Sequence, residues 1–146
     1  MAANTLPVFT KQAAIGLNGA ATLGTALDAV YNGTSANAKI AFSADATNGS
    51  YVQCIRMKAL GTNAVSKLKI YINNGTGTEG SLAAANCSFF GEISLPATTA
   101  STTAATSDVT YPMNIALPAS YRIVLGIDAA GALASGWAFT VIAGTY

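Results

Sequence analysis

The feature that most constrains this chain is an alternation of large apolar residues with small or polar ones, repeated in run after run with turn-forming residues between. Side chains at i, i+2 and i+4 share a face only in an extended strand, so the repetition predicts an all-β domain. Lys67–Ile72 is the cleanest run: Leu68, Ile70 and Ile72 fall on one side, and Lys67, Lys69 and Tyr71 on the other, which reads as a solvated face. Tyr111, Met113, Ile115 and Leu117 alternate with Pro112, Asn114 and Ala116. After the break at Pro118-Ala-Ser120, Tyr121, Ile123, Leu125 and Ile127 alternate with Arg122, Val124 and Gly126. The last run sets Trp137, Phe139 and Val141 opposite Ala138, Thr140 and Ile142.

Lys39–Ser43 and Tyr51–Lys58 read as strands joined by a turn carrying Asn48-Gly49, a pair that tolerates positive φ. Phe89–Leu95 is closed by Pro96, and a weaker strand is placed near Ala13–Leu17. About eight strands at these spacings predict an antiparallel, jelly-roll-like β-sandwich. Spacing does not encode strand order, so another Greek-key sandwich stays open. Residues 1–36 form an N-terminal arm and crossover segment ahead of a sandwich domain at 37–146, with Asn4–Phe9 extended and suited to pairing with another subunit. Within the crossover, Leu23, Leu27 and Val30 fit a helix over Thr22–Tyr31, which Gly24 weakens, and an extended path fits equally well. Ala97–Thr110, rich in Ala, Thr and Ser, reads as a long surface loop.

At 146 residues the chain suits one core. Only 9% of its residues are charged against 51% hydrophobic, whereas soluble domains carry roughly a quarter charged. Alanine accounts for part of the excess, and the remainder implies surface that meets a partner. Seven basic and six acidic residues are scattered without runs, which argues against nucleic acid as a partner. The start lacks the basic and apolar regions of a secretory signal, so the expectation is a chain that acts where it is made or assembled. Ile123–Gly144 is long enough to cross a bilayer, but Gly126, Asp128, Gly131 and Gly136 interrupt it, and a strand, turn and strand fit better than a membrane span.

With no histidine, Ser-His-Asp and Cys-His arrangements are impossible, and the commonest metal ligand is missing. The six acids, Asp28, Asp45, Glu79, Glu92, Asp108 and Asp128, sit singly and mostly at turns, where Asx-type hydrogen bonds explain them better than a glycosidase pair or a calcium loop. No phosphate-binding glycine motif occurs. Tyr51, Tyr71, Tyr111, Tyr121, Trp137 and Tyr146 fit core and sheet-edge packing better than a sugar-stacking platform. Cys54 and Cys87 read as buried reduced thiols, with a disulfide between them left open. Sequons at Asn32, Asn48, Asn74 and Asn86 are explained by turn chemistry. No catalytic, cofactor-binding or metal residue is therefore assigned, and the chain reads as a non-enzyme.

Tyr51-Val-Gln-Cys-Ile-Arg-Met-Lys-Ala-Leu-Gly-Thr-Asn63 leads into Lys67-Leu-Lys-Ile-Tyr-Ile-Asn-Asn-Gly-Thr76 and Glu92-Ile-Ser-Leu-Pro-Ala-Thr-Thr99. Ile115-Ala-Leu-Pro-Ala-Ser-Tyr-Arg122 and Gly136-Trp-Ala-Phe-Thr-Val-Ile-Ala-Gly-Thr-Tyr146 follow. Together these strings resemble small virion structural proteins of tailed bacteriophages, over about two-thirds of the chain. The resemblance implies a jelly-roll capsid decoration or cement protein, assembled in the host cytoplasm, that self-associates as a homotrimer and binds the major capsid protein on the virion surface. Apolar and Thr-rich surfaces would then be covered by neighbouring subunits. A tail or head-fibre component that binds a host receptor, and a free carbohydrate-binding module, are the alternatives.

Overall fold

The computed structural model describes residues 10–17, 31, 33–34, 38–129 and 133–146. Eight strands follow one another: β1 (Gln12–Leu17), β2 (Lys39–Ser43), β3 (Ser50–Ala59), β4 (Ser66–Asn73), β5 (Cys87–Leu95), β6 (Asp108–Leu117), β7 (Arg122–Ala129) and β8 (Trp137–Thr145). One turn of 3-10 helix, Ala84–Asn86, precedes β5. All pairings are antiparallel, and they build two four-stranded sheets, β1-β8-β3-β6 and β2-β7-β4-β5. The pairs β1·β8, β2·β7, β3·β6 and β4·β5 are those of one long hairpin, and rolling that hairpin up brings β8 beside β3 and β7 beside β4. This is the jelly roll.

The sandwich draws its first edge strand, β1, from the N-terminal segment. The remainder of the expected arm and crossover lies outside the described residues, apart from Thr10, Lys11, Tyr31, Gly33 and Thr34, as does the helix considered for 22–31 apart from Tyr31. Ala97–Thr110 is a loop only to Ser107, since Asp108–Thr110 pair with β3. Among the described residues no helix is long and apolar enough to cross a membrane.

The alternating runs pack as their period requires. Val52, Ile55 and Met57 of β3, Leu68 and Ile70 of β4, Ile123, Leu125 and Ile127 of β7, and Trp137, Phe139 and Val141 of β8 meet in the core between the sheets. Each side chain of this size contributes about 1.5–3 kcal/mol by leaving water. Val52 and Ile55 are three apart and both point inward because the register of β3 shifts between Val52 and Cys54, a bulge that resets the phase of the strand.

Candidate functional site

Strand geometry sends Lys69 away from the core, because its neighbours Leu68 and Ile70 point into it. The outer face of the β2-β7-β4-β5 sheet is nevertheless covered. Tyr31 lies over it, with the Lys69 Nζ 3.9 Å from the centre of its ring and 3.5 Å from Asp128 Oδ2 on β7. The Lys69 side chain is 0% exposed, which corrects the solvated reading. An ammonium taken from water needs opposite charge close by, and a carboxylate and an aromatic face supply it.

Lys67 remains half-exposed. Its Nζ donates to Tyr31 Oη at 2.7 Å and lies 3.5 Å from Glu92 Oε2 on β5, while the Tyr31 hydroxyl donates to that carboxylate at 3.2 Å. The hydrogen bond to Tyr31, aided by the charge of Glu92, raises the Lys67 pKa above the ordinary lysine value, against a smaller effect of desolvation.

Tyr71, the third residue of the supposedly solvated face, is also buried. Its ring packs edge-on against Phe89 at 5.7 Å, and Phe89 against Tyr31 at 5.2 Å. Tyr71, Val124, Ala38 and Leu82 form a second apolar cluster on this face, with Ile40 and Cys87 against it. Leu82 is delivered by the segment between β4 and β5. Asn73 holds that segment by donating to the carbonyls of Thr76 and Asn86, each at 3.1 Å. Arg122 donates to the Gly77 carbonyl at 2.7 Å, and Glu79 pairs with Lys39 at 3.0 Å while accepting from the Ile40 amide.

The described acids all have structural partners. Asp45 caps its own turn by accepting from the amides of Asn48 (2.7 Å) and Thr47 (3.0 Å), in that order the main causes of a lowered pKa. This is the Asx geometry expected of it. Glu92, Asp108 and Asp128 stand on strands instead of turns, and Asp108 pairs with Arg56 at 2.6 Å. Asp28 lies outside the described residues. Among the described residues, no three Cys, Asp or Glu side chains are grouped to hold a metal ion.

The six aromatic residues weighed as a sugar platform are dispersed. Trp137 is in the main core, Tyr71 is buried on the opposite side of the second sheet, and Tyr111 packs on the core from β6. Tyr51 donates to Asn114 Oδ1 across β3 and β6. Cys54 and Cys87 form no disulfide and stand on different sheets, and both are only partly buried, which corrects the expectation of buried thiols. Gly49 and Gly75, which follow two of the sequon asparagines, both have positive φ, as tight turns require. Asn32 lies outside the described residues, and Asn74 donates to Asn86 at 3.2 Å.

The first sheet presents a different outer face. Ile15, Ala138, Thr140 and Ile142 line a depression of about 270 Å³ rimmed by the Arg56–Asp108 pair and Lys58. Ile15 is exposed, as are Leu60 and Val65 in the β3–β4 connection and Phe89 and Phe90 at the β5 edge. No family model, curated protein or solved structure matches this chain.

Sequence reasoning missed the group formed by Tyr31, Phe89, Glu92 and Lys69. One signal was available: Leu68-Lys-Ile-Tyr-Ile72 carries apolar residues at both parities after Lys69, which marks a strand buried on both faces.

Proposed function

We propose that this chain is a structural protein of a tailed-bacteriophage virion, a decoration or cement protein that seats on the major capsid protein lattice as a homotrimer. The observation that supports this most is the distribution of apolar surface. Among the described residues, three separate places expose large apolar side chains: the β1 edge at Ile15, the β3–β4 connection at Leu60 and Val65, and the β5 edge at Phe89 and Phe90 with Tyr31 packed on Phe89. A subunit in a lattice meets several different neighbours and needs several such patches, whereas a simple twofold dimer needs one. Charge points the same way, since Lys39, Arg56, Lys67 and Lys69 are paired within the chain. The jelly roll suits the reading and matches the resemblance of the sequence to phage virion proteins, although the fold alone carries no function.

The test is reconstitution. Purified protein added to capsids stripped of their accessory proteins should rebind in hundreds of regularly spaced copies, seen by electron microscopy. Binding at a few sites would place the chain on the tail or a fibre, and a monomer with no affinity for capsids would end the proposal. The carbohydrate-module alternative loses its stacking tryptophan, because Trp137 is 0% exposed.

A further inference from the structure

Two surface features of this chain, one on each sheet, are complementary in size and charge. On β5 the register slips between Ile70 and Tyr71 of its partner strand, Phe90 is the extra residue, and both Phe89 and Phe90 are left exposed at the edge of the second sheet. Phe89 is held from two sides, edge-on to Tyr31 at 5.2 Å and to Tyr71 at 5.7 Å, so little rotamer freedom is lost when a neighbour covers it. On the outer face of the first sheet, Ala138 and Thr140 are short side chains among the longer Ile15, Ile142 and Lys58, and a depression of about 270 Å³ lies over them. We propose that copies of this chain join head to tail, with Phe89 and Phe90 of one seated in the depression of the next.

Volume and charge select this occupant. A cavity of about 150 Å³ holds one benzene, so a depression of about 270 Å³ takes two phenyl rings at most. Its rim carries an excess positive charge: Arg56 is paired with Asp108, whereas Lys58 donates to the Thr106 carbonyl and meets no carboxylate among the described residues. Beside the two rings stands Glu92, 43% exposed, joined to Phe89 through Tyr31. Tyr31 and Lys67 both contact its Oε2, which leaves Oε1 to accept from a neighbour's Lys58. A rim pair of this kind contributes little affinity and sets the orientation of docking.

The two rings do not line the depression of their own chain. A contact between unlike patches is heterologous, so each copy offers one pair of rings and one depression, and the series of contacts closes into a ring or continues as a filament. Closure at three gives the homotrimer. That number rests on the capsid reading, and the junction itself does not.

Sedimentation equilibrium of the purified full chain, without capsids, tests the junction. Wild type should assemble, and Phe90→Asp and Thr140→Arg should each be monomeric. An equimolar mixture of the two variants should recover a dimer that grows no further, because the rings of the Thr140→Arg chain still find the depression of the Phe90→Asp chain. Recovery on mixing also shows that both variants fold. A monomeric wild type overturns the junction, and so does a Thr140→Arg chain that still associates, since the rings then bind elsewhere. A mixture that stays monomeric about tenfold above the concentration at which wild type assembles overturns it as well, that margin allowing for the loss of ring closure. Chains that pass this test yet fail to rebind stripped capsids end the capsid reading and leave the junction standing.

Discussion

Asn63 illustrates how much one side chain can hold. Its Oδ1 accepts from the amides of Gly136 (2.6 Å) and Ser135 (3.3 Å), and its Nδ2 donates to the Gly136 carbonyl and Thr98 Oγ1, so three connections meet at one buried amide. Asn63→Ala leaves those groups without partners, and urea unfolding should show a loss of about 2–4 kcal/mol. Trp137→Ala should cost about 3–5 kcal/mol by opening a cavity in the main core, measured the same way. That distinguishes a core tryptophan from a ligand-stacking one, whose removal would leave stability unchanged. Asp45 makes a pH-dependent contribution. Its amide bonds lower its pKa in the folded chain below the ordinary value of 3.8, so the unfolded state binds the proton more readily. Its stabilisation is present above that ordinary value and disappears as pH falls through the folded one. Stability curves of wild type and Asp45→Ala should therefore converge in acid and separate toward neutrality. The Asp45 turn was legible in the sequence because its partners are two and three residues away. The partners of Lys69 were not, because they come from Tyr31 and from β7.

At the scale of elements, the strands were visible as runs; pairing extended several of them, as at Ser50, Cys87 and Asp108, and the run read from Tyr121 starts one residue later, at Arg122, because Tyr121 closes the turn by donating to the Pro118 carbonyl. The bulges were not visible, since each depends on the partner strand: Phe90 is the extra residue opposite Ile70 and Tyr71, and it leaves both Phe89 and Phe90 exposed. Two glycines mark where elements approach too closely for a side chain. A Cβ on Gly16 of β1 would strike the Ala41 carbonyl of β2, where the edges of the two sheets meet. Gly16→Ala should loosen β1, costing about 1–3 kcal/mol and accelerating amide hydrogen exchange in β1 and its neighbour β8 ahead of the other strands. Gly49 has φ of 79° and lies against the Leu117 carbonyl, so alanine there would be strained by both conformation and contact.

The whole molecule is a sandwich with unequal outer faces, one covered by the segments that carry Tyr31 and Leu82, the other bearing Ile15, Thr140 and Ile142. If neighbours bury the open apolar patches, assembly should depend little on ionic strength, because the described ion pairs are made within the chain and apolar contact gives salt no charge to screen. Sedimentation across a tenfold change in salt should show the assembled fraction nearly constant, whereas a steep fall would indicate charged interfaces. The amino-acid sequence by itself determined the class of this protein: period-two runs bury one face only as strands, and the missing histidines remove whole families of chemistry. Tertiary structure alone decided the rest. Strand order is a matter of how a long hairpin rolls up, which no local pattern records, and it turned a sandwich into a jelly roll. The same rolling brought Asp128 of β7 within 3.5 Å of Lys69 on β4, with the Tyr31 ring against the same ammonium. A lysine that alternation places in water is buried because contacts distant in sequence close over it.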